Sequence, residues 1–194
     1  MRNFARVIAN LVLNILFRIE VINKDNIPEK GAALLCANHT SELDMFFIGL
    51  RIKRWVHYMA KEELFKNPVM SLILRKLGAF PVKRGKGDVG AIRNVFKLLD
   101  EGHIVGIFPE GTRLKGKVRD KTKIKPGAAL IAINSSVPII PVAVDWNHRL
   151  FSRVKVIIGE PFNLDIDKSK KYTSEGMIKI SRSIMDRVYS LMEA

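Results

Sequence analysis

Six short apolar runs recur along this chain, at 32–37 (AALLCA), 55–60 (WVHYMA), 79–82 (AFPV), 103–108 (HIVGIF), 138–144 (PIIPVAV) and 153–158 (RVKVII). Longer stretches with helical spacing separate them, at 42–51, 62–77, 88–101 and 127–135, and a last one closes the chain at 173–192. Strands alternating with helices in this way predict an α/β fold, a central mixed β-sheet flanked by helices. The 194 residues fit one such domain and are enough to bury a hydrophobic core. No internal repeat, low-complexity tract or linker divides them.

The N-terminus reads differently. Arg2, Arg6, Asn10, Asn14 and Arg18 recur every four residues, while Phe4, Ile8, Leu11, Ile15 and Ile19 take the other side. This spacing predicts an amphipathic helix over residues 1–22, ahead of a folded domain at 23–194. The polar residues interrupt the apolar stretch too often for a membrane span, which needs roughly 20 nearly unbroken apolar residues. They also split any signal-peptide core, and no small-residue cleavage site follows. Two roles remain for such a helix: lying in a membrane interface with its arginines toward the headgroups, or packing on the domain. A second basic, apolar segment contains Leu64, Phe65, Val69, Met70, Leu72, Ile73, Leu74 and Leu77 among Lys66, Arg75 and Lys76. The same two roles are open to it, with Pro68 at a helix start or a kink.

Lysine and arginine number 33 against 19 acidic residues, a formal charge of +14. An excess of that size favours an anionic partner, nucleic acid or an anionic membrane surface. Aromatic residues make up 8% of the chain and fall mostly within apolar runs, so a basic face interleaved with stacking rings is absent. That argues against nucleic acid. The single cysteine, Cys36, lies inside an apolar run, which excludes a disulfide scaffold and zinc-finger spacing and fits a cytoplasmic location.

The string NHTSELD (38–44) holds the clearest chemistry. His39 precedes Asp44 by five positions at a strand-to-helix junction, where ligand sites of α/β sheets commonly lie. Ser41 and Asp44 have capping-box spacing, which places the helix start here. In one continuous helix a separation of five would point the two side chains about 140 degrees apart. A turn at the junction brings them together instead. A histidine can take a proton from a hydroxyl while a carboxylate holds its ring in the required tautomer; both residues would otherwise serve as helix caps. No serine or cysteine nucleophile accompanies them. His57, His103 and His148 read as ordinary structural histidines.

Three segments follow in order: GAFPVKRG (78–85), FPEGTR (108–113) and VPIIPVAV (137–144). In the second segment Lys83 and Arg84 lie past a strand and before Gly85, as a phosphate-docking pair or a solvated basic loop. In the third, Gly111 permits a tight turn between Glu110 and Arg113. The fourth reads as a strand whose two prolines suggest a sheet edge or a shaped wall.

Together the four strings resemble the ordered motifs of the glycerolipid acyltransferase family. One departure is Leu114, where many members carry serine. The resemblance implies acyl transfer from a thioester, acyl-CoA or acyl carrier protein, to the free hydroxyl of lysophosphatidic acid or another lysolipid. His39 would be the general base and Asp44 its orienting partner, so the nucleophile arrives with the substrate. Lys83, Arg84, Glu110, Gly111, Thr112 and Arg113 would bind substrate, and neither metal nor cofactor would be required. It further implies peripheral or monotopic attachment at the cytoplasmic face of the cell membrane. A non-catalytic basic binding protein is the contrasting expectation, and it has no use for a base beside phosphate-binding cations. Outside the motifs, Arg113, Lys115, Lys117, Arg119, Lys121, Lys123 and Lys125 place a cation at every second residue. If extended, they present one basic face to anionic headgroups or an acidic carrier protein; otherwise they form a solvated loop.

Overall fold

The computed structural model describes residues 2–83, 87–113, 123–167 and 170–193. Arg84 and the basic run from Lys115 to Lys121 lie outside the described residues. Seven strands form one sheet: β1 (Arg18–Ile22), β2 (Ala33–Ala37), β3 (Val56–Lys61), β4 (Phe80–Val82), β5 (Ile104–Ile107), β6 (Ile139–Trp146) and β7 (Arg153–Ile158). Their order is β1-β7-β6-β2-β5-β3-β4. Every neighbouring pair is parallel except β6 with β7, so the sheet is mixed. β2 lies at its centre with all five residues buried, which accounts for its unbroken apolar run.

Among the described residues the α-helices are α1 (Arg2–Leu16), α2 (Asp44–Gly49), α3 (Pro68–Lys76), α4 (Val89–Asp100), α5 (Gly127–Ser135) and α6 (Ser174–Ser190). Side chains alternate across a strand, and those of β2 divide accordingly. Leu35 and Ala37 join Leu13 of α1, Phe17 just after it, and Phe47 and Ile48 of α2 in one buried cluster. Leu34 and Cys36 join Val95, Ile131 and Ile184 of α4, α5 and α6 in another. α3 flanks α2 on the first face, where Leu74 packs with Met45 and Phe46. Pro68 sits in the first turn of α3, where its missing N–H costs nothing, and Asn67 caps that turn by accepting from Met70 N–H at 3.0 Å.

One expectation needs correction, and two open alternatives are narrowed. The N-terminal helix expected through residue 22 ends at Leu16, and residues 18–22 form a strand beside β7. Its arginines do not all face outward. Arg6 donates to the carbonyls of Ile52 and Lys53, and Asn10 donates to that of Leu50 at 3.1 Å. These carbonyls lie just past the end of α2, where helical partners have run out. Facing the other way, Val7, Ile8, Leu11, Val12 and Ile15 are exposed, Ile15 by 63%.

The other alternative narrowed concerns β6: of the sheet edge and the shaped wall that its prolines suggested, the edge is excluded, because β6 is internal despite Pro138 and Pro141. Its ladder with β7 ends at Val142 opposite Ile158, so Pro141 falls just beyond that ladder. Only the Pro141 carbonyl is needed there, and it accepts from Gly159 N–H at 2.8 Å.

Candidate functional site

β2 and β5 are neighbours in parallel, with Cys36 opposite Ile107. The residues past their C-terminal ends, His39 after one and Phe108 to Arg113 after the other, therefore emerge side by side. Asn38 anchors the first of these segments. Its Nδ2–H donates to Val144 O at 2.9 Å and its Oδ1 accepts from Val144 N–H at 2.7 Å, so the amide pairs with β6 like one more strand residue.

Beyond that anchor the chain turns before α2. His39 Nδ1 lies 3.1 Å from Asp44 Oδ2. The same oxygen accepts from Thr40 N–H at 2.6 Å and Ser41 N–H at 2.7 Å, while Asp44 Oδ1 accepts from the Thr40 hydroxyl at 3.2 Å. Because that oxygen acts as an acceptor, Nδ1 carries a proton, and in the neutral ring the lone pair is then on Nε2. Asp44 is wholly buried and is the first residue of α2, whose N-cap is Leu43, so the capping box expected from Ser41 does not form. The Asp44 side chain reaches back instead to the turn at Thr40 and Ser41 that precedes the helix. Trp146 Nε1–H donates to Thr40 Oγ1 at 3.3 Å and extends the network to β6. The His39 ring stacks on Phe108, with centroids 4.2 Å apart and planes 19° from parallel.

A hollow of about 160 Å³ lies beside His39, lined by Met59, Val82, Phe108, Gly111 and Lys125 among others. Its walls are mostly apolar, as an acyl chain requires. A larger hollow of about 480 Å³ lies between α3 and α4. It is lined by His57 near the start of β3, at the opposite end of the parallel strands from His39, so it belongs to different surroundings.

The FPEGTR segment divides into parts with different orientations. Glu110 is expected to meet substrate, yet it is 1% exposed and faces inward. Its Oε2 accepts from His39 N–H at 2.6 Å and its Oε1 accepts from the Tyr189 hydroxyl at 2.7 Å. Burial pushes the Glu110 carboxyl up to about 7, against the opposing effect of those two hydrogen bonds. Gly111 has φ +67, and a Cβ there would lie 2.9 Å from Lys125 Cγ, so both backbone shape and space select glycine. Lys125 N–H closes the segment by donating to Pro109 O at 2.8 Å. Thr112 is exposed, and Arg113 pairs with Glu42 at 3.1 Å, joining the third motif to the first at the surface.

Lys83 directly follows Val82, which lines the hollow, and its ammonium lies 3.9 Å from Glu62. Its backbone N–H donates to Asp88, the cap of α4, at 2.9 Å. His57 and His103 have ring centroids 5.0 Å apart at the far end of the strands. His148 lies against Trp146 in the β6–β7 turn. Among the described residues no group of three or more His, Cys, Asp or Glu is arranged to hold a metal ion.

Residues 18–145, which carry this whole arrangement except Trp146 and Tyr189, match the family described as Acyltransferase. The chain belongs to the acyltransferase family. A 1-acyl-sn-glycerol-3-phosphate acyltransferase of Bacillus subtilis is 33% identical over 187 residues, covering 93% of this chain and 92% of that one. The enzyme of the same name from Streptococcus pneumoniae is 32% identical over 181 residues, 88% of this chain and 65% of its own. In fold, the chain resembles the crystal structure of a 1-acyl-sn-glycerophosphate (LPA) acyltransferase from Thermotoga maritima, with a TM-score of 0.71 and 24% identity. That likeness covers 100% of this chain and 80% of the other. O-acyl transfer is the chemistry of the family, and it gives the absent protein nucleophile its explanation.

Asn38, Thr40, Trp146 and Tyr189 are parts of this arrangement that sequence reasoning missed. Asn38 and Thr40 lie within NHTSELD and carried a usable signal, as polar residues directly after a buried strand. Trp146 and Tyr189 carried none, since their partners are 106 and 79 residues away.

Proposed function

We propose that this protein is a 1-acyl-sn-glycerol-3-phosphate acyltransferase, moving an acyl group from acyl-CoA or acyl carrier protein to the sn-2 hydroxyl of lysophosphatidic acid. The observation that carries the reading is the buried His39–Asp44 pair, 3.1 Å apart, beside an apolar hollow, with no serine or cysteine bonded to the His39 ring among the described residues. In this mechanism His39 Nε2 takes the hydroxyl proton as the acceptor oxygen forms its bond to the thioester carbonyl carbon. Asp44 stabilises the resulting imidazolium through Nδ1–H. When the tetrahedral intermediate collapses, the carbon–sulfur bond breaks and the imidazolium returns the proton to the departing thiolate. The products are phosphatidic acid and a free thiol, and no acyl-enzyme forms.

Cations on the neighbouring loops suit the acceptor phosphate. Lys83, with Arg84 next to it in sequence, and Arg113 with Thr112 and Gly111 are assigned to that role. Glu110 supports the base from behind instead of touching lipid. Purified protein given lysophosphatidic acid and an acyl thioester is expected to release thiol stoichiometrically with phosphatidic acid. Lysophosphatidylcholine and glycerol 3-phosphate serve as competing acceptors. Equal or faster release with either one would replace the acceptor assignment while leaving the chemistry intact.

The same reading makes α1 (Arg2–Leu16) a membrane-associating helix on the α/β catalytic domain, whose sheet takes residues 18–22 as β1, with the protein peripheral or monotopic at the cytoplasmic face. Among the described residues no helix is long and apolar enough to cross a membrane. Support comes from the distribution of exposed apolar side chains. Val7, Ile8, Leu11, Val12 and Ile15 on α1 and Val69, Met70, Leu72 and Ile73 on α3 belong to the two helices flanking α2 on one face of the sheet. Leu150 and Phe151 are exposed in the β6–β7 turn, which is tied to α1 by Phe151 N–H donating to Leu16 O at 2.7 Å. The +14 charge suits an anionic bilayer. Replacing Leu11, Ile15, Val69 and Leu72 with glutamine should lower partitioning onto anionic vesicles by at least about tenfold, since burying each such side chain is worth about 1.5–3 kcal/mol. Sedimentation with vesicles measures it, and unchanged partitioning would remove these helices from the interface.

A further inference from the structure

We propose that Tyr189 on α6 is a positioning residue for acyl transfer, acting through the Glu110 carboxylate on the backbone segment that carries His39. It rests on the reading of His39 as the base. The two oxygens of Glu110 have separate partners in separate layers of the molecule. Oε2 holds His39 N–H at 2.6 Å at the sheet end, and Oε1 holds the Tyr189 hydroxyl at 2.7 Å from the helical layer. Glu110 is 1% exposed, so little water is available to replace either partner. Tyr189 packs against the cluster formed by α4, α5 and α6, as a phenylalanine would. The hydroxyl therefore has a use beyond packing, and its partner bonds directly to the residue bearing the base.

The groups around Glu110 give this link a pH signature. Asp44 of α2 opposes a second negative charge, and burial opposes any charge there. The Tyr189 hydroxyl and the His39 N–H act in the other direction and favour the ionised carboxylate. These influences leave Glu110 at about 7, where loss of one donor changes its ionisation at ordinary assay pH. A protonated Glu110 accepts more weakly from His39 N–H and removes one negative charge that favours the imidazolium. Without the Tyr189 hydroxyl, that weakened state persists to higher pH.

Tyr189→Phe is thus expected to move the acid limb of the kcat profile about one pH unit toward alkaline values. At pH 6.5 kcat should fall roughly fivefold or more, with KM for both substrates unchanged and recovery by pH 9. Restoring tyrosine should restore the profile, and in a Glu110→Gln background Tyr189→Phe should produce no further pH shift. A readout independent of turnover is the His39 amide ¹H–¹⁵N resonance, with Glu110→Gln as the control that removes the carboxylate's contribution. It should titrate near pH 7 in the parent and higher in Tyr189→Phe. Superimposable pH profiles together with an unmoved amide titration would overturn the proposal, as would a loss of thermal stability alone. If no acyl acceptor supports turnover, the functional reading fails, and the amide titration still decides whether Tyr189 controls Glu110.

Discussion

His39→Ala should lower kcat for thiol release by about 100- to 10,000-fold, the usual worth of a positioned general base, with little change in KM for either substrate. The acceptor hydroxyl would have to lose its proton to water while attacking the thioester, but the cations around it would remain. The variant is expected to fold. His39 is 7% exposed and stacked on Phe108, so truncation costs packing of roughly 1–3 kcal/mol, a tolerable fraction of a domain's stability. Its backbone N–H still reaches Glu110, and Asp44 keeps the donors from Thr40 and Ser41. A thiol-specific colour reagent suits the measurement, because Cys36 is wholly buried and burial pushes its thiol up, away from the reactive thiolate. Parental thiol release from His39→Ala would eliminate His39 as the base.

That prediction uses the part of the site most legible in the sequence. His39 and Asp44 meet across five residues at one junction, so local rules of helix starts sufficed. Glu110 was legible as a notable residue but not in its orientation. What turns it inward is a backbone N–H from the segment just after β2 and a hydroxyl supplied by α6, and neither contact leaves a trace near residue 110. Arg113 shows the same limit. Its nearest acidic partner is Glu42, brought close only because β2 and β5 end side by side.

In the fold, the six apolar runs correspond to strands because each is short, at least partly buried and flanked by helical spacing or turns. β1 escaped notice because two periods compete across RIEVI. Arg18 continues the four-residue series of the preceding helix, whereas Ile19, Glu20 and Val21 alternate as a strand does. The contest is decided by pairing with β7, where Arg18 lies opposite Arg153. Proline in β6 left the sheet edge open as a reading for a related reason. Its missing N–H matters only where a neighbouring strand requires it, and where β7 leaves β6 is a property of the assembled sheet.

Asp44→Asn and Asp44→Ala should separate the two jobs of this carboxylate. Three N–H groups converge on Oδ2, two of them from backbone, and Oδ1 meets only the Thr40 hydroxyl. An asparagine can place its carbonyl oxygen in the crowded position and its NH₂ toward Thr40 Oγ1, which can also accept. Thr40 and Ser41 thereby enforce the amide orientation that still takes the proton on His39 Nδ1. The tautomer survives, and only the charge opposite the imidazolium is lost. Since a hydrogen bond to a charged group is worth about 1.5–3 kcal/mol, Asp44→Asn should reduce kcat roughly 10- to 150-fold. A flipped amide would hold the wrong tautomer and cost about 10,000-fold, as the corresponding change does in serine proteases. Asp44→Ala leaves the Thr40 and Ser41 N–H groups without their acceptor in a buried turn, at about 1–3 kcal/mol each. It should therefore lower unfolding stability by roughly 2–5 kcal/mol in urea titrations and reduce activity to that of His39→Ala. Equal kinetic losses in Asp44→Asn and Asp44→Ala would mean that backbone donors do not fix the tautomer. The larger loss in alanine, with a lower unfolding midpoint, follows if Asp44 is at once the partner of the base and the acceptor that holds the turn before its helix.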